Sequence, residues 1–270
     1  MKPIPDLVTN DNRFWAEIKF LSQKIGYSSR GEITFPEKEI LIQQFEQEGF
    51  HVSYDSIGKI HSYLKTRADC LNEFAKPNLM NAEQAEQVYH QIINSYTPKC
   101  PLPLNKQKDE KKAPAYFTCI INMLIEKELN GLNCDFDPKF VPFFTKENSL
   151  TGSLSRRVDG CFPSVNNPIA LWEIKEYYYT TTFGSRIADG VYETQLDGFE
   201  LKDIRSQSNL YVGHYLMIDA YDTRWLKGKS YLCRIFDMLH QGLVSEVLIG
   251  REVLTEMPRL VKDWVSLLER

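Results

Sequence analysis

A strand-forming run with charges in its middle constrains the fold of this chain more than any other feature. The run IALWEIKEYYYTTT, residues 169 to 182, is rich in the aromatic and β-branched residues that favour strands. Because side chains alternate across a strand, Trp172 and Ile174 would face a core, while Glu173 and Lys175 would share the other face, about 7 Å apart. Charges inside a strand are costly unless they are paired or bound, so we expect a site here.

A second strand-like run, just upstream, carries Asp159. RRVDGCF, residues 156 to 162, is followed by PSVNNP, in which Asn-Asn-Pro is a turn signal. A turn there would pair the two strands and could bring Asp159 near Glu173. Two carboxylates suit Mg²⁺, which is often held by one or two of them and keeps several waters. The ion lowers the pKa of a bound water, and Lys175 would orient that water, so the pattern indicates phosphodiester hydrolysis.

A stretch with four prolines and mixed charges, TPKCPLPLNKQKDEKKAPAY at residues 97 to 116, divides the chain. We predict an all-α N-terminal region over residues 1–97, a linker over 98–114 and a further domain over 115–270. In the last part a helix, two strands, a helix, a strand and more helical segments follow one another. This order predicts an α/β fold with a central mixed sheet flanked by helices.

Helical periodicity dominates the N-terminal region, with predicted helices over 11–26, 35–49, 53–74 and 81–96. In the second of these helices, Ile40, Leu41 and Phe45 are expected to face inward. A helix-turn-helix arrangement, serving DNA recognition or dimerisation, would let Lys59, Lys65 and Arg67 contact DNA. The same cations also suit the solvated face of a small bundle, which we favour because the pattern has low specificity.

Composition excludes several classes of protein. Of the 270 residues, 43% are hydrophobic and 25% charged, as in an ordinary globular protein, and no apolar run approaches a membrane span. The N-terminus has no apolar signal-peptide segment, so we expect a cytoplasmic location. Six cysteines without a CxxC pair argue against a zinc finger or a disulfide framework. The net charge of −4 does not suggest a general cationic coat, although a local basic surface could still bind DNA.

Asp159, followed by Glu173, Ile174 and Lys175 on the next strand, resembles the signature of the PD-(D/E)XK nuclease superfamily. The order of predicted elements over residues 115 to 250 is similar to its core, although Val158 stands where the named motif has proline. The resemblance implies that Asp159 and Glu173 bind Mg²⁺ together with the backbone carbonyl of Ile174. It also implies that Lys175 acts on the attacking water.

The same resemblance implies auxiliary residues. Many members carry an acidic residue on the first core helix, here Glu126 or the more inward Glu128, and some use a glutamine on the later helix, here Gln195. For each of these the alternative is an ordinary surface side chain. Tyr177 to Tyr179 could stack on bases, although packing is favoured for strand aromatics. Contacts with DNA phosphates are expected from residues that flank the signature, namely Arg156, Arg157, Thr182, Ser185 and Arg186.

Size and layout look most like a type II restriction endonuclease, without a P-loop motif for translocation. The resemblance then implies Mg²⁺-dependent, sequence-specific cutting of double-stranded DNA by a homodimer, or by a heterodimer with a related subunit. It further implies a cognate DNA methyltransferase in the same restriction-modification system. Three alternatives stay open: a structure-selective repair or mobile-element nuclease, a catalytically inactive DNA-binding module, and an unrelated α/β enzyme with an accidental match.

Overall fold

The structure is a computed structural model that describes residues 1–8, 11–105, 113–179, 184–208 and 210–269, with backbone only at 185, 186 and 208. Among the described residues, no helix is both long enough and apolar enough to cross a membrane.

The N-terminal part is mainly helical, as its periodicity predicts, but it is not all-α, because Ser28–Ser29 and Glu32–Ile33 pair as a short antiparallel hairpin. The Asp11 side chain accepts a 2.9 Å hydrogen bond from Phe14 N at the start of one helix, and Asn81 and Gln84 form a reciprocal capping box at the start of another. A π-helical turn, Leu71–Ala75, continues the longest of these helices. The elements are α1 Pro5–Val8, α2 Asn12–Ile25, β1 Ser28–Ser29, β2 Glu32–Ile33, α3 Lys38–Gln47, α4 Tyr54–Cys70, α5 Lys76–Asn78 and α6 Ala82–Ile93.

One inward-facing residue of α3 was predicted wrongly. Leu41 and Phe45 are buried as expected, but Ile40 is 42% exposed. Neighbouring positions on a helix point about 100° apart, so Ile40 cannot share the face that Leu41 gives to the core.

The rest of the chain forms an α/β layer structure around a five-stranded sheet. The strand order is β3-β6-β7-β8-β9; the first two pairings are antiparallel and the last two are parallel, so the sheet is mixed, as predicted. Helices α8 and α9 connect the parallel strands. The elements are α7 Tyr116–Leu129, β3 Asp135–Phe136, β4 Phe143–Lys146, β5 Ser149–Ser153, β6 Gly160–Phe162, β7 Ala170–Glu176, α8 Ser185–Ser208, β8 Gly213–Asp219, α9 Lys229–His240, β9 Glu246–Ile249 and α10 Val253–Leu268.

Both faces of the sheet are covered, which explains why the central strand β8 is buried along its whole length. On one face, Trp172 and Ile174 pack in a cluster with α6, α7 and α10. On the other face, Leu216 and Ile218 pack with α9 and with the N-terminal helices α2, α3 and α4. The N-terminal helices therefore share a hydrophobic core with the sheet.

Gly160, which follows Asp159, makes room for a core tryptophan. Gly160 and Trp172 are cross-strand partners, and a Cβ at position 160 would come within 2.1 Å of the Trp172 ring. That ring stacks on Trp264 of α10 with 5.4 Å between ring centroids and an interplanar angle of 6°. The Asp-Gly pair thus places a carboxylate at the strand entrance while its glycine admits the largest core side chain.

The described parts of the predicted linker pack along α7. Ala115 N donates to Pro103 O at 2.9 Å, Asn105 N donates to Ala113 O at 2.8 Å, and Asn122 of α7 donates its side-chain N–H to Pro101 O at 2.9 Å. This segment consequently forms a wall beside the C-terminal end of β7.

Candidate active site

The structure brings Asp159, Glu173 and Lys175 together at the end of β7. Ile174 N donates a 2.7 Å hydrogen bond to Asp159 Oδ2, and Lys175 Nζ lies 2.6 Å from Glu173 Oε2. Trp172 and Ile174 face the core on the α7 side, while Glu173 and Lys175 point to the α8 side, as strand alternation predicts.

The site exists because the C-terminal end of β7 extends beyond Gly160, the first residue of its antiparallel neighbour β6. The β6–β7 ladder extends only to the pair of Gly160 and Trp172, and the Asp159 side chain bonds the next available N–H on that edge. The N–H and C=O of one strand residue point to the same edge. The carbonyl of Ile174 therefore points to the open edge beside Asp159.

A pocket of about 410 Å³ opens at this edge between α7 and α8. Pro101, Pro103 and Leu104 form an apolar wall, and Thr118 and Asn122 of α7 supply polar groups. Lys175 is the one cation among the described residues that line the pocket. The acidic residues that line it are Asp137, Asp159, Glu176, Asp189 and Glu193. A pocket this acidic attracts cations and repels phosphate unless a cation lies between.

Arg156 joins the carboxylates on the α8 side into one cluster. Its Nη1 lies 2.7 Å from Asp197 Oδ2 and 2.9 Å from Glu173 Oε1, and its Nη2 lies 3.3 Å from Glu193 Oε2. Glu193 Oε2 is also 3.0 Å from Lys175 Nζ. Counting Asp159, four carboxylates meet two cations, so the fully ionised cluster has an excess of negative charge.

This excess is reflected in the pKa values of the cluster. Burial, and then the charge of Glu173, raise the pKa of Asp159 to about 6 and that of Asp197 to about 7. Burial alone would lower the pKa of Lys175, but Glu173 and Asp159 outweigh it and the pKa is raised. Lys175 is therefore an ammonium group over the physiological range and acts as a donor.

The donor set suits a hard divalent cation such as Mg²⁺. Among the described residues, no group of three or more His, Cys, Asp or Glu side chains is arranged to hold a metal ion. Two carboxylates and a carbonyl, from Asp159, Glu173 and Ile174, are the kind of set on which Mg²⁺ keeps several waters. Glu173 Oε1 is buried and accepts no hydrogen bond from the described residues, because the nearby Arg156 Nη1 directs its bond to Asp197. A divalent cation would use this free acceptor capacity, opposed by the charge of Arg156 Nη1 at 2.9 Å.

The two auxiliary residues predicted for the site lie elsewhere. The face of α7 that lines the pocket carries Thr118 and Asn122. Glu128 lies on a different face, with its Oε2 3.5 Å from Lys262 of α10. Glu126 accepts hydrogen bonds from Lys99 N instead. Gln195 lines a different pocket with Tyr27 and Arg234, since the face of α8 that meets the site carries Asp189, Glu193 and Asp197.

The predicted DNA contacts in the C-terminal part have mixed outcomes. Arg156 is bound within the carboxylate cluster rather than free, and Arg157 is exposed beside it. Thr182 lies outside the described residues, and Ser185 and Arg186 begin α8 without described side chains.

On α4, Lys59 and Lys65 are exposed and pair with acids one turn away on the same helix. Arg67, in contrast, is 2% exposed. It is bound to Asp237 at 3.2 Å and to Ser22, so the prediction that it contacts DNA is wrong.

Four of the five carboxylates that line the pocket were not predicted from the sequence, namely Asp137, Glu176, Asp189 and Glu193. Glu193 belongs to an Asp189, Glu193, Asp197 series at helical spacing of four, a signal that was visible in the sequence. Strand alternation places Glu176 on the core side, with Trp172 and Ile174, which argues against a role as a ligand. It does face α7, where its Oε2 accepts bonds from Thr118 N at 2.9 Å and Thr118 Oγ1 at 3.1 Å, yet it lines the pocket because the strand ends there.

The three tyrosines after the site pack rather than present free faces. Tyr177 is buried, and Tyr178 donates its hydroxyl hydrogen to Asp219 of β8. Tyr178 and Tyr179 both lie against the α7-side core. The packing alternative therefore describes these residues.

Fold and site together define an α/β protein with an acidic cleft beyond the end of a parallel strand. The chain belongs to the family described as Domain of unknown function (DUF7687), whose model matches residues 80–264. The model described as Domain of unknown function (DUF7690) matches residues 1–74. No curated protein and no solved structure matches the chain.

Proposed function

We propose that this protein is a metal-dependent endonuclease that hydrolyses phosphodiester bonds in DNA, built on a PD-(D/E)XK-like core. One observation carries the proposal: Asp159, Glu173 and Lys175 converge at the open edge of β7, with the Ile174 carbonyl on the same edge. The element order supports it, since a helix, the strands with the signature, a helix and a parallel strand follow one another.

Asp159, Glu173 and the Ile174 carbonyl would hold Mg²⁺. When bound, the ion supplies an activated water and stabilises charge on a phosphoryl oxygen. Lys175 has a raised pKa and lies between Glu173 and Glu193, so it donates hydrogen bonds to a water or a phosphate oxygen and does not act as the base. Glu193 also lines the pocket and pairs with this ammonium at 3.0 Å.

The acidity of the pocket argues that DNA enters only with a divalent cation. Five carboxylates and one lysine line it, and such a surface would repel a phosphate in the absence of metal. We therefore expect DNA binding at the pocket to depend on a divalent ion. This dependence separates the proposed nuclease from a module that binds DNA through a basic face.

The form of nuclease that we propose is a type II restriction endonuclease, which cuts duplex DNA at a short sequence. One active site per chain implies that two chains are needed for a double-strand cut, as a homodimer or with a related subunit. A DNA methyltransferase of the same restriction-modification system would protect the host sites.

Digestion of a sequenced plasmid with Mg²⁺, followed by mapping of the ends, tests the proposal. Asp159→Asn, Glu173→Gln and Lys175→Met should each abolish cutting, while the exposed α8 variant Lys202→Met serves as a matched control that should cut normally. Fragments with unique ends support a sequence-specific enzyme. Cutting of branched substrates alone favours a structure-selective nuclease, and cutting by the Lys175→Met variant at the wild-type rate would refute the proposed site.

A further inference from the structure

We propose that Arg156 is an internal competitor for the metal: its guanidinium lies against Glu173 and opposes a divalent cation at that carboxylate until the arginine turns away. The inference rests on the proposed function, because it assigns Glu173 as a metal ligand. It concerns metal affinity, so it can be tested without an assay of DNA cutting.

The contacts of Glu173 leave a metal no unopposed approach. Its side chain is fully buried, with Lys175 Nζ 2.6 Å from Oε2 and Arg156 Nη1 2.9 Å from Oε1. Two like charges a few ångströms apart in a partly buried site repel each other strongly. A divalent ion at Glu173 therefore disfavours the contact of that carboxylate with Arg156 or with Lys175.

Arg156 is the cation that can move. Its side chain is 25% exposed, against 11% for Lys175, and it lies in the segment before β6 rather than within a strand. It also holds two further carboxylates, with Nη1 2.7 Å from Asp197 Oδ2 and Nη2 3.3 Å from Glu193 Oε2. Arg156 can turn away from Glu173 and keep an ionic partner.

This arrangement couples metal binding to DNA binding. Arginine binds phosphate with two parallel hydrogen bonds, so a phosphate at the mouth of the cleft draws Arg156 away from Glu173. Coupling of two ligands is reciprocal, so DNA raises the affinity for metal by the same factor by which metal raises the affinity for DNA. The free protein then binds metal weakly, and substrate completes the site.

A titration with Mn²⁺ measures the affinity of the site for a divalent ion. Binding is monitored by the loss of the free-ion signal in electron paramagnetic resonance. Arg156→Gln removes the competing charge and should lower the Kd for Mn²⁺ about tenfold or more. Lys202→Gln removes an exposed cation from α8 and should leave this Kd unchanged. An unchanged Kd in a folded Arg156→Gln protein would overturn the inference.

A double variant distinguishes two effects of losing Arg156: removal of the guanidinium from Glu173, and a change in the net charge of the cluster. Arg156→Gln with Asp197→Asn keeps the net charge of the cluster and avoids leaving Asp197 without its partner, so it also decides the matter if the single variant does not fold. Tighter Mn²⁺ binding in the double variant supports competition by Arg156, and wild-type binding contradicts it.

Failure of the inference differs from failure of the proposed function. If the wild type cuts DNA with Mg²⁺ but neither variant binds Mn²⁺ more tightly, only the role of Arg156 is refuted. If the wild type and both variants bind no Mn²⁺ at millimolar concentration, the metal site itself is refuted and the inference falls with it.

Discussion

The Asp159 side chain accepts a 2.7 Å hydrogen bond from the backbone N–H of Ile174. This carboxylate therefore bonds β7 just beyond the Gly160–Trp172 pair, where the backbone ladder between β6 and β7 stops. This contact holds the aspartate beside the part of β7 that pairs with β8 on one edge and borders the pocket on the other. Asp159 itself precedes β6, and its position is set by this bond and by the bond from its own N–H to Trp172 O at 3.2 Å, so the edge of the sheet orients a proposed metal ligand.

Gly190→Ala should disturb the proposed chemistry while leaving the fold intact. A Cβ at this position of α8 would lie 2.5 Å from the Tyr177 hydroxyl oxygen and 3.3 Å from Lys175 Cδ, so the tyrosine has to shift and the lysine beside it has to adjust slightly. We expect DNA cutting to fall at least tenfold. Gly58→Ala on α4 is the matched control, since its Cβ would meet nothing within 4 Å and should stabilise the protein by about 0.5–1 kcal/mol. Unchanged cutting by the Gly190 variant would mean that this contact does not position Lys175.

Asp219 should make the protein less stable as the pH rises towards 7. It is fully buried, and Met80 N and Ala220 N both donate to its Oδ1 at 2.8 Å. Burial raises its pKa to about 7, so the folded protein keeps a proton that the unfolded chain releases near about pH 4. The free energy of unfolding, measured with denaturant, should therefore fall between these pH values.

Asp219→Asn isolates that contribution from other buried acids. The amide keeps an acceptor for the two backbone donors and offers an N–H to the Tyr178 hydroxyl, so the variant should fold and show a weaker fall in stability over the same pH range. Identical pH profiles for the two proteins would rule out Asp219 as the titrating group.

Arg67→Met should destabilise the protein without acting on DNA contacts. Arg67 and Asp237 form a buried pair at 3.2 Å, and removal of one partner leaves an uncompensated charge that costs about 3–5 kcal/mol. Lys65→Met, on the exposed side of the same helix, should change the free energy of unfolding little. A folded Arg67 variant of wild-type stability but with lost DNA binding would contradict the assignment of Arg67 to the core.

Calcium in place of Mg²⁺ should support DNA binding with little hydrolysis. Ca²⁺ also accepts carboxylate and carbonyl oxygens, but it takes more ligands with looser geometry, so a water is not held in line with the phosphate. Fluorescence anisotropy with a labelled duplex measures the binding, and a gel measures the cutting. Rapid cleavage in Ca²⁺ alone would speak against the proposed metal role.

Sequence reasoning succeeded where the determinants are local. Alternation in β7 correctly predicted which side Glu173 and Lys175 take, and Asn81 marked a helix start that the structure confirms with a capping box. A turn after β6 was enough to bring Asp159 to the same edge of the sheet.

Reasoning failed where a side chain meets a partner far along the chain. The position of Arg67 in its helix is typical of a cation exposed to solvent. No nearby residue indicates that its partner is Asp237, 170 residues away. The sequence predicts that Arg156 contacts phosphate. Its three carboxylate partners lie on β7 and on α8, too far along the chain for a local pattern to reveal them. Charged residues in a single sequence indicate a site more readily than they reveal which of them already neutralise one another.

Side-chain contacts between α4 and α9 join the two segments that different family models match. Tyr63 and Phe236 have ring centroids 5.9 Å apart, and Tyr63 also bonds Asp237 at 2.5 Å, so each segment supplies part of the other's interior. A change in the size of either aromatic side chain has to be compensated by a change in the other segment. Exchange of the first segment between relatives would therefore require matched replacements in α9 to restore a well-packed hybrid.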